Sequence, residues 1–412
     1  MSIRTTPQAG STPAARRSRQ KGAQTGPEQA ANAPPALLPA PELSHPQGVA
    51  QALEAWFAAQ ARDLPWRRAR SGYAALVSEV MLQQTQVARV VPAFERFMAR
   101  FPTPAALAAA PEQEVLAAWQ GLGYYRRARL LHAAAKAVVS QHNGQVPHSA
   151  AALQQLPGVG RYTAGAVASI VHGAREPIVD GNVFRVLARL TAHSAQPEDR
   201  AAQAWAWEQA TRLVQAAPNP GATNEALMEL GATVCTPGAP QCHACPLRAG
   251  CKAAAAGDPT HWPAPKRAAA RRAVHWHAVV CVHRGAVVLE QRGSTGLWAH
   301  MWQPPALELA GGESATAAAV AAWWGAPVQA LGEFEHTTSH RQVRFQVWQG
   351  QWHQASLAPS RALVAWDHLH TYPLANAAWR VLQCAGAPVS PPPSAGRSTR
   401  AGRAARSAAT DS

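Results

Sequence analysis

From about residue 48 to residue 256 apolar side chains recur every three to four positions in run after run, with Pro102, Pro111, Gly144, Pro147 and Pro177 breaking the periodicity. This spacing predicts a succession of amphipathic helices. Beyond residue 257 the pattern changes. GDPTHWPAPKRAAARRA (257–273) is basic and contains proline, and it reads as a linker. AVHWHAVVCV and AVVLEQR, separated by the turn HRG, have strand character, and FEHTTSH and RFQVWQGQW continue it to residue 352. With one Ala/Trp-rich helix, ATAAAVAAWWG (315–325), residues 274–385 form a separate α+β domain. The expected architecture is an all-α body over 46–256, the α+β domain, and disordered basic tails at 1–45 and 386–412.

Within the helical part, SEVMLQQTQV (78–87) carries a single carboxylate, Glu79. Read as one helix continuing to Val91, it has an apolar face of Leu76, Val77, Val80, Met81, Val87 and Val91, with Glu79, Gln83 and Gln86 along its edge. The carboxylate then lies at the border between core and a short polar stripe. LPGVGRYTAGAVASIVHG (156–173) puts Gly158 and Gly160 in a tight hairpin opening into a helix near Arg161. Its first backbone N–H groups are left free to hold a phosphate. Asp180, in IVDGNVFRVLARL, stands where an N-cap is expected.

Four of six cysteines crowd into CTPGAPQCHACPLRAGC: Cys235, Cys242, Cys245 and Cys251, spaced C-x6-C-x2-C-x5-C. Four thiolates on one loop suit either tetrahedral zinc or a [4Fe-4S] cluster, and the single C-x2-C pair leans toward the cluster. Cys281 and Cys384 read as core thiols. The net charge of +15 at a pI near 10.5 favours a polyanionic partner, nucleic acid or an anionic membrane surface. Each tail accounts for +3, which leaves +9 on the body. The absence of an uninterrupted run of eighteen apolar residues and of a secretory signal points away from a membrane span and toward a cytoplasmic protein.

Taken in order, SEVMLQQTQV, GLGYYRRAR (121–129), LPGVGRYTAGA, VDGNVFRVLAR and the four-cysteine loop resemble the adenine DNA glycosylases of the MutY type, in the helix-hairpin-helix superfamily. The resemblance covers residues 62–251 and extends over 274–385 to a Nudix-like domain. It implies a six-helix barrel (about 64–174), a cluster domain (46–63 with 175–256), a [4Fe-4S] cluster on the four cysteines, and excision of adenine opposite 8-oxoguanine or guanine in double-stranded DNA by a monomer. Such enzymes flip the base out before cutting its bond to deoxyribose. Glu79 would protonate adenine, Asp180 would stabilise the electron-poor sugar, and Tyr162, Glu225 and Asn182 would assist.

The same resemblance makes Tyr124 the wedge into the base stack. It sets Gln84, Thr85 and Leu122 near the opposing base, sends Arg126, Arg127 and Arg129 to phosphates, and gives Ser339 and His340 the reading of the lesion, with Thr338 where an aromatic is usual. Backbone-cutting relatives carry a lysine where Tyr162 stands, and Phe184 replaces another lysine common in the family, so a monofunctional glycosylase is expected. The helix at 315–325 carries no carboxylate. The Nudix-like domain is therefore expected to bind without Mg²⁺-dependent hydrolysis. The competing readings are an endonuclease III-like glycosylase and lyase for oxidised pyrimidines, and a non-catalytic DNA-binding iron–sulfur protein.

Overall fold

The computed structural model describes residues 41–68, 70–264, 270–310 and 313–388. The expected tails at 1–40 and 389–412 lie outside these residues. The helical part runs α1 Pro46–Gln60, α2 Pro65–Arg68, α3 Gly72–Leu82, α4 Val87–Arg100, α5 Pro104–Ala109, α6 Glu112–Ala118, α7 Arg126–Gln141, α8 Ala150–Leu153, α9 Arg161–His172, α10 Gly181–Thr191, α11 Arg200–Ala216, α12 Pro220–Thr233 and α13 Lys252–Ala255. Many of their starts are capped as the sequence demands: Ser71, Thr103, Ser149, Asp180 and Asn219 each accept a backbone N–H from the first turn.

Two apolar cores organise these helices. Tyr73, Leu76, Phe94, Phe97, Trp119, Leu131 and Val167 form one, spanning α3 to α9. Leu53, Phe57, Phe184, Leu187, Trp205, Leu213 and Leu230 form the other, so that α1 packs with α10 to α12 although it is far away in sequence. Small residues set the closeness of the layers. A Cβ on Gly221 would lie 2.6 Å from the Ser169 carbonyl oxygen, and one on Gly231 would lie 2.7 Å from the Asn182 Cβ. Glycine at these two positions lets α12 approach α9 and α10 almost backbone to backbone.

The remainder is an α+β sandwich of β1 Arg272–Val280, β2 Val282–His283, β3 Ala286–Gln291, β4 Trp302–Gln303, β5 Ala306–Ala310, α14 Ala317–Trp324, β6 Val328–Thr337, β7 Arg341–Gly350, β8 Arg361–Ala365 and α15 Asn376–Cys384. One sheet has the order β5-β1-β7-β6, with β1 and β7 parallel and Trp276 opposite Phe345. The other joins β2, β3 and β4, with β8 beside β3. Met301 and Ala375 of this domain are buried in the barrel core, so it is seated on the helical body.

Three expectations change. The SEVMLQQTQV helix ends at Leu82. Gln84 has φ 55°, the Thr85 N–H returns to the Leu82 carbonyl at 3.1 Å, and α4 begins at Val87, turning Val90 rather than Val87 or Val91 fully into the core. Residues 41–45 are docked rather than a free tail: the Leu43 N–H donates to Gln209 Oε1 at 2.8 Å and Trp205 Nε1 donates to the Pro41 carbonyl at 2.8 Å. The first half of the linker also adheres to the body, where Arg189 Nε donates to the Trp262 carbonyl at 3.0 Å and the Ala264 N–H to the Ser194 carbonyl at 3.2 Å.

Candidate active site and DNA-facing surface

Glu79 projects from the middle of α3 and is 6 % exposed. Its Oε2 is buried with no hydrogen-bond partner. Burial drives its pKa from the usual 4.5 to about 7; the Tyr162 phenol opposes that rise, the negative charges of Asp180 and Glu225 add to it, and the Arg67 cation subtracts. Tyr162, at the start of α9, donates its hydroxyl to Met228 Sδ at 2.9 Å. Burial raises its own pKa well above the usual phenol value, helped by the carboxylates of Glu79 and Asp180.

Asp180 caps α10, accepting the Val183 N–H at 2.7 Å and Asn182 Nδ2 at 3.2 Å. A position at a helix start by itself favours the ionised carboxyl. Burial outweighs the cap and pushes its pKa upward, while the Val183 and Asn182 N–H groups, the Arg185 cation and the Asn182 side chain pull it down. The two carboxyls thus share a buried site, but Asp180 has two N–H donors on its oxygens while Glu79 Oε2 has none.

Glu225 is locked from behind by Arg67 Nε at 3.0 Å and Arg70 at 2.7 Å. Glu229, one turn on along α12, takes Arg62 Nε at 2.6 Å and Arg67 at 3.1 Å. Sequence reasoning missed these arginines. The available signal was an i, i+4 pair of acids in an otherwise uncharged helix, opposite the arginine-rich ARDLPWRRAR. Arg185 extends the polar chain: it donates to Asn182 Oδ1 at 2.9 Å, to the Gly231 carbonyl at 2.8 Å and to the Cys235 carbonyl at 2.9 Å.

Cys235, Cys242, Cys245 and Cys251 line a single cavity with Arg189 and Arg248. Arg189, 2 % exposed, donates to Cys235 Sγ at 3.3 Å and to the carbonyls of Thr236 and Pro237 at 2.8 and 2.9 Å. Among the described residues no three His, Cys, Asp or Glu side chains are grouped to hold a single metal ion. Four sulfurs around one cavity with a cation against them suit an anionic thiolate-bound centre.

The DNA-facing candidates divide. Tyr124, 45 % exposed at φ 47°, meets the Ser339 hydroxyl across the domain boundary, and Gln84 and His340 are exposed. Gly158, at φ 77°, has no room for a Cβ, which would lie 2.6 Å from Leu130 Cβ, whereas the space over Gly160 is open. Thr338 closes the turn between β6 and β7 by exchanging hydrogen bonds with the Arg341 backbone at 3.0 and 3.1 Å.

Two assignments are corrected. Arg127 does not reach phosphates: it is 8 % exposed, and its guanidinium donates to the carbonyls of Val80, Met81, Leu122 and Gly123 and to Thr85 Oγ1 at 2.7 to 3.2 Å. Burial lowers its pKa to about 10. Leu122 is 6 % exposed, and its side chain belongs to the barrel core rather than to a surface that meets a base.

The helical body and appended sandwich match the HhH-GPD superfamily of base excision DNA repair proteins over residues 77–211 and a NUDIX domain over 277–384. The chain is 36% identical over 395 residues to an adenine DNA glycosylase of Rattus norvegicus, covering 80% of this chain and 76% of that protein. It is 36% identical over 397 residues to one of Homo sapiens, with 80% and 72% covered, and 44% identical over 220 residues to one of Mycobacterium tuberculosis (strain ATCC 25618 / H37Rv), with 52% and 70% covered. The chain belongs to the adenine DNA glycosylase family. It is a hydrolase acting on N-glycosyl bonds in DNA, and no helix among its described residues is long and apolar enough to cross a membrane.

Proposed function

We propose that this enzyme removes adenine opposite 8-oxoguanine or guanine as a monofunctional glycosylase, acting as a monomer. The observation that carries the chemistry is the Glu79 carboxyl, buried, with Oε2 unpartnered and a pKa raised to about 7. At neutral pH such a group holds a proton it can give up to a base nitrogen. Protonated adenine leaves as a neutral base. Asp180, with N–H donors on its carboxylate, supplies negative charge beside the developing oxocarbenium ion. Tyr162, Asn182 and Glu225 hold the two carboxyls in register, Glu225 itself being fixed by Arg67 and Arg70. Tyr162 offers no amine, so the sugar is released by water rather than through a Schiff base.

Cys235, Cys242, Cys245 and Cys251 would hold a [4Fe-4S] cluster, which when bound cross-links the loop and fixes the fold around it. The exposed Ser339, in contact with Tyr124, supports a lesion-reading role for the C-terminal domain. Single-turnover base release from duplexes with adenine opposite 8-oxoguanine, guanine or thymine tests the reading. Fast release opposite 8-oxoguanine, slower release opposite guanine and none opposite thymine are expected. Equal rates in all three would refute it.

A further inference from the structure

The arginines around the catalytic centre are largely spent on the protein itself. Arg62, Arg67 and Arg70 are paired with Glu225 and Glu229, and Arg127, Arg185 and Arg189 donate to backbone carbonyls. Arg161 differs. It is exposed, makes no ion pair or hydrogen bond among the described residues, and holds its Cζ over the Trp207 ring, 3.8 Å from the ring centroid. Stacking on an aromatic face holds a guanidinium in place while leaving its N–H groups, which lie in the plane, free to bond outward. A long side chain is therefore fixed in position with its donors unused.

Its location gives those donors a partner. Arg161 follows Gly160, where the space above the backbone is open, and precedes Tyr162 of the catalytic centre. Trp207 comes from α11, so the stack joins the hairpin to the second helical layer. The first turn of α9 holds no acidic residue, and a cation there sits against the positive end of the helix. A negative group from outside relieves that repulsion.

We propose that Trp207 is a positioning residue which presents the Arg161 guanidinium to a DNA backbone phosphate beside the hairpin, so that the strand carrying the target nucleotide is gripped next to the point where the base leaves the stack. The proposal rests on duplex DNA being the partner and not on which base lies opposite adenine. Binding to an undamaged duplex therefore tests it separately from the excision reaction.

The experiment measures affinity of the full chain, with its cysteine loop loaded, for an undamaged duplex across a salt series. Wild type, Arg161→Gln, Arg161→Lys and Trp207→Leu are compared, with melting temperature as the fold control. Loss of one phosphate contact reduces the slope of log affinity against log salt by about 0.9, so the advantage of wild type over Arg161→Gln should shrink about 3.5-fold between about 50 and 200 mM salt. Arg161→Lys should restore the slope, because a cation is present. Trp207→Leu should keep the slope but bind more weakly at every salt concentration, because the cation remains and its placement is lost. An unchanged slope in a folded Arg161→Gln protein overturns the phosphate contact. Unchanged affinity in Trp207→Leu overturns the positioning role.

Discussion

Replacing Glu79 by glutamine separates what this carboxyl does for the reaction from what it costs the fold. The amide keeps the side chain's shape but is neutral at every pH, so any difference in stability that varies with pH belongs to ionisation of Glu79. Folding raises the pKa from 4.5 to about 7 because the charged form is desolvated. At 1.36 kcal/mol per unit, ionising the buried carboxyl costs the native state about 3 kcal/mol. The folded chain keeps its proton where the unfolded chain has lost it. The favourable contribution is therefore fully present below about pH 4.5 and disappears as pH rises through 7.

Glu79→Gln should accordingly gain on wild type as pH rises, melting about 6 to 12 °C higher than wild type at alkaline pH, relative to its difference from wild type at acid pH. Base release should fall by roughly a hundredfold to ten-thousandfold in the same protein, while wild-type release declines as pH rises above about 7. Thermal melts and single-turnover release, each followed across the pH range, give the result. A melting difference independent of pH would show that the fold does not perturb this carboxyl and would remove the basis for its role as an acid.

Other substitutions probe the elements around it. Arg127→Met should destabilise by about 1 to 3 kcal/mol, since it takes a donor from four carbonyls, of which Leu122 and Gly123 keep Thr85 Oγ1 and Trp119 Nε1, and should leave the salt slope of DNA binding unchanged; a reduced slope in a stable protein would restore the phosphate role. Gly231→Ala drives a Cβ to within 2.7 Å of Asn182 and should cost about 1 to 3 kcal/mol, reducing base release more than DNA binding; equal losses would mean general unfolding. Truncation after Ala264 should keep adenine release but lose much of the preference for 8-oxoguanine over guanine, with Ser339→Ala moving the same way by less, and an intact preference would give the sandwich another task. Wild type should carry about four irons per chain, and Cys242→Ser should lose them together with DNA affinity; stoichiometric zinc in anaerobically purified protein would refute the cluster.

The sequence by itself determined the broad division into elements and named the candidate residues. Apolar periodicity separated the helical body from the sandwich. Gly158, Gly160 and the Asp180 cap could be read locally because a tight hairpin and a helix start each depend on a few neighbouring residues. Four cysteines within seventeen residues marked a candidate cluster loop for the same reason. The pKa of Glu79 had no local signature. Its rise depends on burial within the packed body and on Asp180, Glu225 and Arg67, which are remote from one another in sequence.

Only packing could reveal that Arg127 is consumed by backbone carbonyls while Arg161 is left free, because both read as basic residues near a DNA-facing motif. The ion pairs behind Glu225 join residues separated by about 160 positions, and the Tyr124–Ser339 contact joins residues 215 positions apart. Local propensity fixes where a helix starts and which face is apolar. Whether a given charge is buried, paired or presented to a partner is decided by the segments that close over it, and these come from elsewhere in the chain.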